Sequence, residues 1–209
     1  VENAWLAGWV KLQIPPGHFA AYIFDCDGTL ADTMPLHFVA WTQAMQDFDG
    51  CFPEHLFYEW GGKPTAVIVE QLNVLYGTSL DVELVTRRKE DYFVSLIPRV
   101  KAIESVVQIA SDMFGRLPMA VASGGHHELV DATLEALGIT HLFSAVVCAE
   151  DYAHGKPAPD PFLEAARRLG VVAGECLAFE DSPTGIESAR AAGMATVLVP
   201  REEVAATMT

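Results

Sequence analysis

Basic residues are scarce in this chain: 13 lysines and arginines stand against 28 aspartates and glutamates over 209 residues, a formal charge of -15. Nucleic acids are held by stripes of Lys and Arg that neutralise backbone phosphates, so a nucleic-acid partner is excluded. A small anionic substrate is not, because it needs only local donors, a helix N-terminus and a cation. Cysteine is also rare, and Cys26, Cys51, Cys148 and Cys176 form no CxxC pair. That spacing speaks against a disulfide framework or a zinc site and for reduced thiols, of which Cys26, Cys148 and Cys176 lie in apolar, strand-like runs. No apolar run approaches the roughly 20 residues of a membrane span, which excludes a transmembrane helix of that kind. The stretch Trp5-Leu6-Ala7-Gly8-Trp9-Val10 is cut by Lys11 and followed by Pro15-Pro16-Gly17, a poor signal peptide; it reads as an extension packing its tryptophans on the body or on a partner. The expected location is cytoplasmic, and the expected state a monomer or weak homodimer. Repeats and low-complexity tracts are absent.

What is present is the balance of a soluble globular protein, 51% hydrophobic and 20% charged. Phe19 to Phe24 is an apolar run that ends abruptly in acidic residues and glycine, as a buried parallel strand does. Similar runs recur at Leu117 to Ala122, Ala145 to Cys148, Cys176 to Phe179 and Ala195 to Val199. Helical patterns separate them at 105–114, 127–137, 161–169 and 185–192, and Gly138, Gly170 and Gly193 follow three of these where a left-handed C-terminal cap belongs. The alternation predicts an α/β fold, a doubly wound parallel sheet with right-handed crossovers.

Residues 25–116, between the first two strands, are far more than a crossover requires. Helical spacing at 36–48, 53–60, 65–76 and 82–96, with turn signals at Asp49-Gly50, Gly61-Gly62 and Gly77, predicts a small helical bundle. The expected division is a catalytic core of residues 1–34 and 100–209, with a helical cap of residues 35–99 inserted after the first core strand.

In an open parallel sheet the ligand sits beyond the carboxyl ends of the strands. The first strand delivers Asp25 and Asp27 there, the second Ser123-Gly124-Gly125, the loop after the third Lys156, and the fourth Glu180-Asp181. Converging carboxylates need a cation between them, and hard oxygen donors suit Mg²⁺. Asp25, Asp181 and a backbone carbonyl near Asp27 are the expected metal ligands, with Glu180 behind them or acting through water. Ser123 and the N–H groups of Gly124 and Gly125, opening a helix, form an anion cradle, and Lys156 adds positive charge opposite the metal. Asp25 then serves as nucleophile on phosphorus, while Asp27 moves the proton of the leaving alcohol and of water. A small phosphorylated molecule is the expected substrate.

Phe24-Asp25-Cys26-Asp27-Gly28-Thr29, Ser123, Lys156-Pro157-Ala158-Pro159-Asp160 and Glu180-Asp181-Ser182-Pro183-Thr184-Gly185 resemble the four motifs of the haloacid dehalogenase superfamily. The place of the insert, with Asp32-Thr33, His37, Trp41 and Arg88-Lys89-Glu90-Asp91-Tyr92, resembles the cap of its beta-phosphoglucomutase-like subgroup. The resemblance implies the mechanism above and a choice among dehalogenase, phosphatase and phosphohexomutase. Dehalogenases of the superfamily lack the second aspartate, so Asp27 speaks against that activity. Mutases hold a distal phosphate with a cap arginine and with Ser-Lys after the second motif; here Thr65 and Gly125-His126 stand in those places. Hydrolysis is therefore favoured over mutase activity. The loop Gly61-Gly62-Lys63-Pro64-Thr65 looks most like subgroup phosphatases acting on sugar monophosphates, which makes Gly62 and Lys63 candidate substrate contacts. Lys63, His126 and His127 remain possible anion ligands, and His37 and Lys89 candidates for tuning the proton on Asp27. A catalytically idle binding protein on the same fold is the third alternative.

Overall fold

The computed structural model describes residues 12–60 and 63–200. The chain divides into two compact units, residues 1–31 with 102–209 and residues 32–101.

The first unit is built on five parallel strands: β1 (Ala21–Phe24), β2 (Met119–Ala122), β3 (Ala145–Val147), β4 (Cys176–Glu180) and β5 (Ala195–Leu198), in the order β3-β2-β1-β4-β5. This is the doubly wound α/β sheet that the strand and helix alternation predicts. β1 lies in the middle, and each of its four residues is buried. Its side chains alternate between the faces, as the two-residue period of a strand requires. Ala21 and Ile23 face a layer of small residues that includes Ala120, Ala122 and Ala178, against which a helix packs with Phe162, Ala165 and Ala166. Tyr22 and Phe24 join Phe179 in an aromatic layer, the Phe24 and Phe179 rings stacked with centroids 4.6 Å apart. Truncating Phe24 to alanine there costs about 3–5 kcal/mol by the usual scale of buried aromatics.

Pairing, more than hydrophobicity, sets the strand ends. Phe19 and Ala20 belong to the apolar run but not to β1, because the pairing with β4 begins at Ala21 opposite Cys176. β4 in turn runs one residue past the apolar pattern: Glu180 pairs with Leu198, and its carbonyl accepts the Val199 N–H at 2.7 Å. Glu180 is thereby fixed at the backbone as well as at its side chain.

Helices α5 (Glu104–Met113), α6 (His127–Ala136), α7 (Asp160–Leu169) and α8 (Pro183–Ala191) complete this unit. α7 ends at Gly170 in the left-handed conformation, φ +70°, where a side chain would be strained. α8 starts on Ser182, whose hydroxyl accepts the Gly185 N–H at 3.1 Å, with Pro183 in the first turn where its missing N–H is not needed.

The second unit holds α1 (Met34–Gln46), α2 (Glu54–Glu59), α3 (Thr65–Tyr76) and α4 (Val82–Leu96). Trp41, Met45, Phe52, Phe57, Ile68, Val69, Leu72 and Val85 form its own core. Asp47, just past α1, accepts from Arg88 Nε at 2.6 Å and from the Tyr92 hydroxyl at 2.8 Å, which ties α1 to α4. Asp81 caps α4 by accepting the Leu84 N–H at 2.9 Å. Among the described residues no helix is long and apolar enough to cross a membrane. Cys26, Cys148 and Cys176 are buried free thiols and Cys51 is exposed. Trp5 and Trp9 lie outside the described residues.

Candidate active site

Three adjacent strands deliver the site. β2, β1 and β4 end side by side in Ser123, Asp25 and Glu180-Asp181, at one edge of the sheet. The Asp25 N–H donates to the Phe179 carbonyl at 2.9 Å, so its backbone is an extension of the sheet. Its side chain is buried, and Oδ1 accepts from Lys156 Nζ at 2.6 Å. The same ammonium reaches Glu180 Oε1 at 2.9 Å. Glu180, 1% exposed, uses its other oxygen to accept the Ser182 backbone N–H at 2.6 Å and the Ser182 hydroxyl at 2.9 Å. A fully buried carboxylate is tolerable only when paired and hydrogen-bonded in this way.

Asp25, Glu180 and Asp181 each offer a carboxylate oxygen within 4.8 Å of the others, an arrangement able to hold a metal ion. Two glycines make room for it. A Cβ on Gly28, which has φ +83°, would collide with the Asp181 carboxylate, and one on Gly185 would collide with that of Glu180. Burial pushes the Asp25 pKa well above the carboxylate range; Lys156 opposes the shift, while Glu180 and Asp181 add to it. Burial alone would weaken the Lys156 ammonium, but the charges of Asp25 and Glu180 outweigh it and hold the proton more tightly than usual. The Cys26 thiol is raised first by burial and then by Asp27 and Asp25, which favours its protonated form.

Ser123 is fully buried, and its Oγ accepts the Gly125 N–H at 3.0 Å. Its backbone is held on both sides, by its own N–H to the Val147 carbonyl at 2.9 Å and by the Tyr152 hydroxyl to its carbonyl at 3.0 Å. A Cβ on Gly124 would meet nothing within 4 Å, so the loop is open above that residue, whereas one on Gly125 would stand 3.9 Å from Asp27 Oδ2.

The structure thus brings together Asp25, Ser123, Lys156, Glu180 and Asp181, with Gly125 beside Asp27. Glu180, read from the sequence as a residue behind the ligands, belongs to the cluster itself, whereas the Asp27 carboxylate is outside it. His37, Lys63 and Lys89 are in the helical unit. There Lys89 is buried with Nζ 3.1 Å from His37 Nδ1, and the His37 ring stacks on Phe93 at 3.9 Å. Lys63 Nζ donates to Gln71 Oε1 at 3.0 Å and lies 5.1 Å from the Trp60 ring centroid. Gly62 lies outside the described residues. Sequence reasoning missed Glu150, Asp151 and Tyr152 in the turn after β3, although the strand-end rule that found Asp25 points there too.

The sequence profile of the haloacid dehalogenase-like hydrolases matches residues 19–193, and the chain belongs to that family. Fructose-1-phosphate phosphatase YqaB of Escherichia coli is 37% identical over 179 residues, 86% of this chain and 95% of that one. Beta-phosphoglucomutase of Bacillus subtilis is 28% identical, covering 85% of this chain and 81% of its own. Among solved structures, CbbY from Rhodobacter sphaeroides in complex with phosphate superposes with a TM-score of 0.76 at 24% identity, over 90% of this chain and 91% of its own, a likeness of fold.

Proposed function

We propose that this hydrolase is a Mg²⁺-dependent phosphatase that cleaves a small phosphorylated metabolite, a sugar monophosphate, through an aspartyl phosphate on Asp25. The observation that carries the reading is the placing of buried Asp25 and Glu180 and half-buried Asp181 in one group while Lys156 holds the Asp25 Oδ1. Three carboxylates against one ammonium leave uncompensated negative charge there, and Glu180 and Asp181 add to the rise in the Asp25 pKa that burial causes first. A hard divalent cation relieves that repulsion, so the donor set fits Mg²⁺, with Asp25, Asp181, Glu180 and the Asp27 carbonyl as its ligands. When bound, Mg²⁺ supplies charge neutralisation for the phosphoryl oxygens.

The chain's own groups do the rest. Asp25 attacks phosphorus, and Asp27 gives a proton to the departing alcohol oxygen and then takes one from water. Ser123 Oγ already accepts from Gly125, which leaves its hydroxyl proton to donate to a phosphoryl oxygen alongside the Gly124 N–H. Lys156, held by Asp25 and Glu180, places a fixed positive charge at the transferring group. The helical insert is the candidate cap of this enzyme, with His37, Lys89, Lys63 and Gly62 as candidate substrate contacts.

Fructose 1-phosphate is the first substrate to try, given the YqaB relative. A panel of sugar monophosphates incubated with and without Mg²⁺ tests the reading. Metal-dependent phosphate release is expected; isomerised sugar phosphate would mean a mutase, and neither product across the panel would mean a binding protein. Asp25→Asn should abolish either activity.

A further inference from the structure

The start of α6 lies beside the proposed proton donor. A Cβ on Gly125 would stand 3.9 Å from Asp27 Oδ2 and 3.4 Å from Ser123 Oγ. A leaving group whose oxygen is within reach of Asp27 therefore has the residues after Gly125 as neighbours on this side. Those residues are already engaged. The Gly125 carbonyl accepts the Ala149 N–H at 2.9 Å, which draws the turn after β3 against the helix start. Glu150 then accepts the His127 N–H with both oxygens, at 3.1 and 3.3 Å, and lies 3.1 Å from His126 Nδ1. His126 makes no cap bond of its own, so Glu150, from a separate segment, caps the helix in its place.

The donors that a second anion would use at this helix end are thus bound to a carboxylate. The Glu150 side chain is also 46% exposed, so its charge is open to solvent at this helix end. A second phosphate would have to displace Glu150 from its donors and approach its charge; neutral sugar hydroxyls can donate to the same oxygens.

We propose that Glu150 is a specificity-determining residue that rejects substrates carrying a second phosphate on the leaving group. This rests on the phosphatase reading above and narrows it to monophosphates with uncharged leaving groups.

The test is a charge series, wild type, Glu150→Gln and Glu150→Lys, assayed on fructose 1-phosphate and fructose 1,6-bisphosphate. The wild type should favour the monophosphate in kcat/KM. The ratio should move toward the bisphosphate by about tenfold with Gln, from Coulomb's law at partly screened short range, and further with Lys. Monophosphate turnover in each variant reports that it has folded. A ratio unchanged along the series, a wild type that prefers the bisphosphate, or equal losses on both substrates, as a purely structural role predicts, would overturn the proposal. Calorimetric binding of the two sugars to Asp25→Asn and to Asp25→Asn/Glu150→Gln reads the same selectivity without turnover. Absent hydrolysis with the binding ratio still shifted refutes the phosphatase reading alone; a binding ratio that does not move refutes the role of Glu150.

Discussion

Gly185 leaves open the space that the Glu180 carboxylate fills. The glycine sits in the first turn of α8, where alanine normally stabilises a helix by about 1 kcal/mol over glycine. Here the sign reverses, because the added methyl would force Glu180 away from Lys156 and Ser182. Gly185→Ala should lower stability by about 1–3 kcal/mol, the usual cost of overpacking, and cut phosphate release more than tenfold. Thermal denaturation and a phosphate assay read both; an unchanged Tm with full activity would remove Gly185 from the account.

Lys156 is the ammonium partner of two buried carboxylates. Lys156→Met leaves both without it, and breaking a buried pair in this way costs about 3–5 kcal/mol. Because a cation can take over part of that role, added Mg²⁺ should recover more stability in the variant than in the wild type. Denaturant titrations with and without the metal measure the difference. Equal metal effects in the two proteins would count against a shared metal and lysine site.

Asp25 holds its proton more tightly folded than unfolded. Its contribution to stability is therefore complete below the unfolded pKa of about 3.9 and is lost as pH rises through the raised folded value. In metal-free protein at neutral pH, Asp25→Asn should be more stable than the wild type while lacking turnover. The advantage should shrink as pH falls toward the unfolded value. A variant less stable than wild type throughout would contradict this electrostatic picture.

His127 lies against Asp151, Nε2 to Oδ2 at 2.8 Å, and against Asp131 at 3.4 Å. Burial opposes its protonation, but these carboxylates, with Glu150, raise its pKa overall. The stability it adds is fully present below the ordinary histidine pKa of about 6.5 and is lost as pH rises through the folded value. His127→Gln should thus be more destabilising in mildly acidic than in mildly alkaline buffer, as parallel urea titrations would reveal.

The residues that the sequence made legible are those that a local rule locates. Asp25, Ser123 and Asp181 follow apolar strands directly, and Lys156 follows in the loop after a third, so the strand-end rule gathers them without coordinates. Gly170 closes α7 in the left-handed conformation its position announced. Relationships between distant segments stayed hidden. Nothing in the sequence ties Glu150 to the His127 N–H, because that bond depends on how far the turn after β3 is drawn toward α6. Nor does the apolar pattern show that β4 runs on to Glu180, since pairing with β5 fixes that residue. Lys63 reads from the sequence as a candidate anion ligand, and its pairing with Gln71, eight residues on along the same segment, is a contact that no local rule announces.

β1 carries the proposed nucleophile from the centre of the sheet, buried along its length and bonded on both edges. Segments held this way exchange their amide hydrogens only when the whole unit opens, unlike edge strands and surface loops. The backbone that aims Asp25 should therefore be among the last parts of the core to release its protons to solvent. Under heat or denaturant the nucleophile should lose its position only with global unfolding, so activity lost earlier would report changes in the surrounding loops, with β1 still in place.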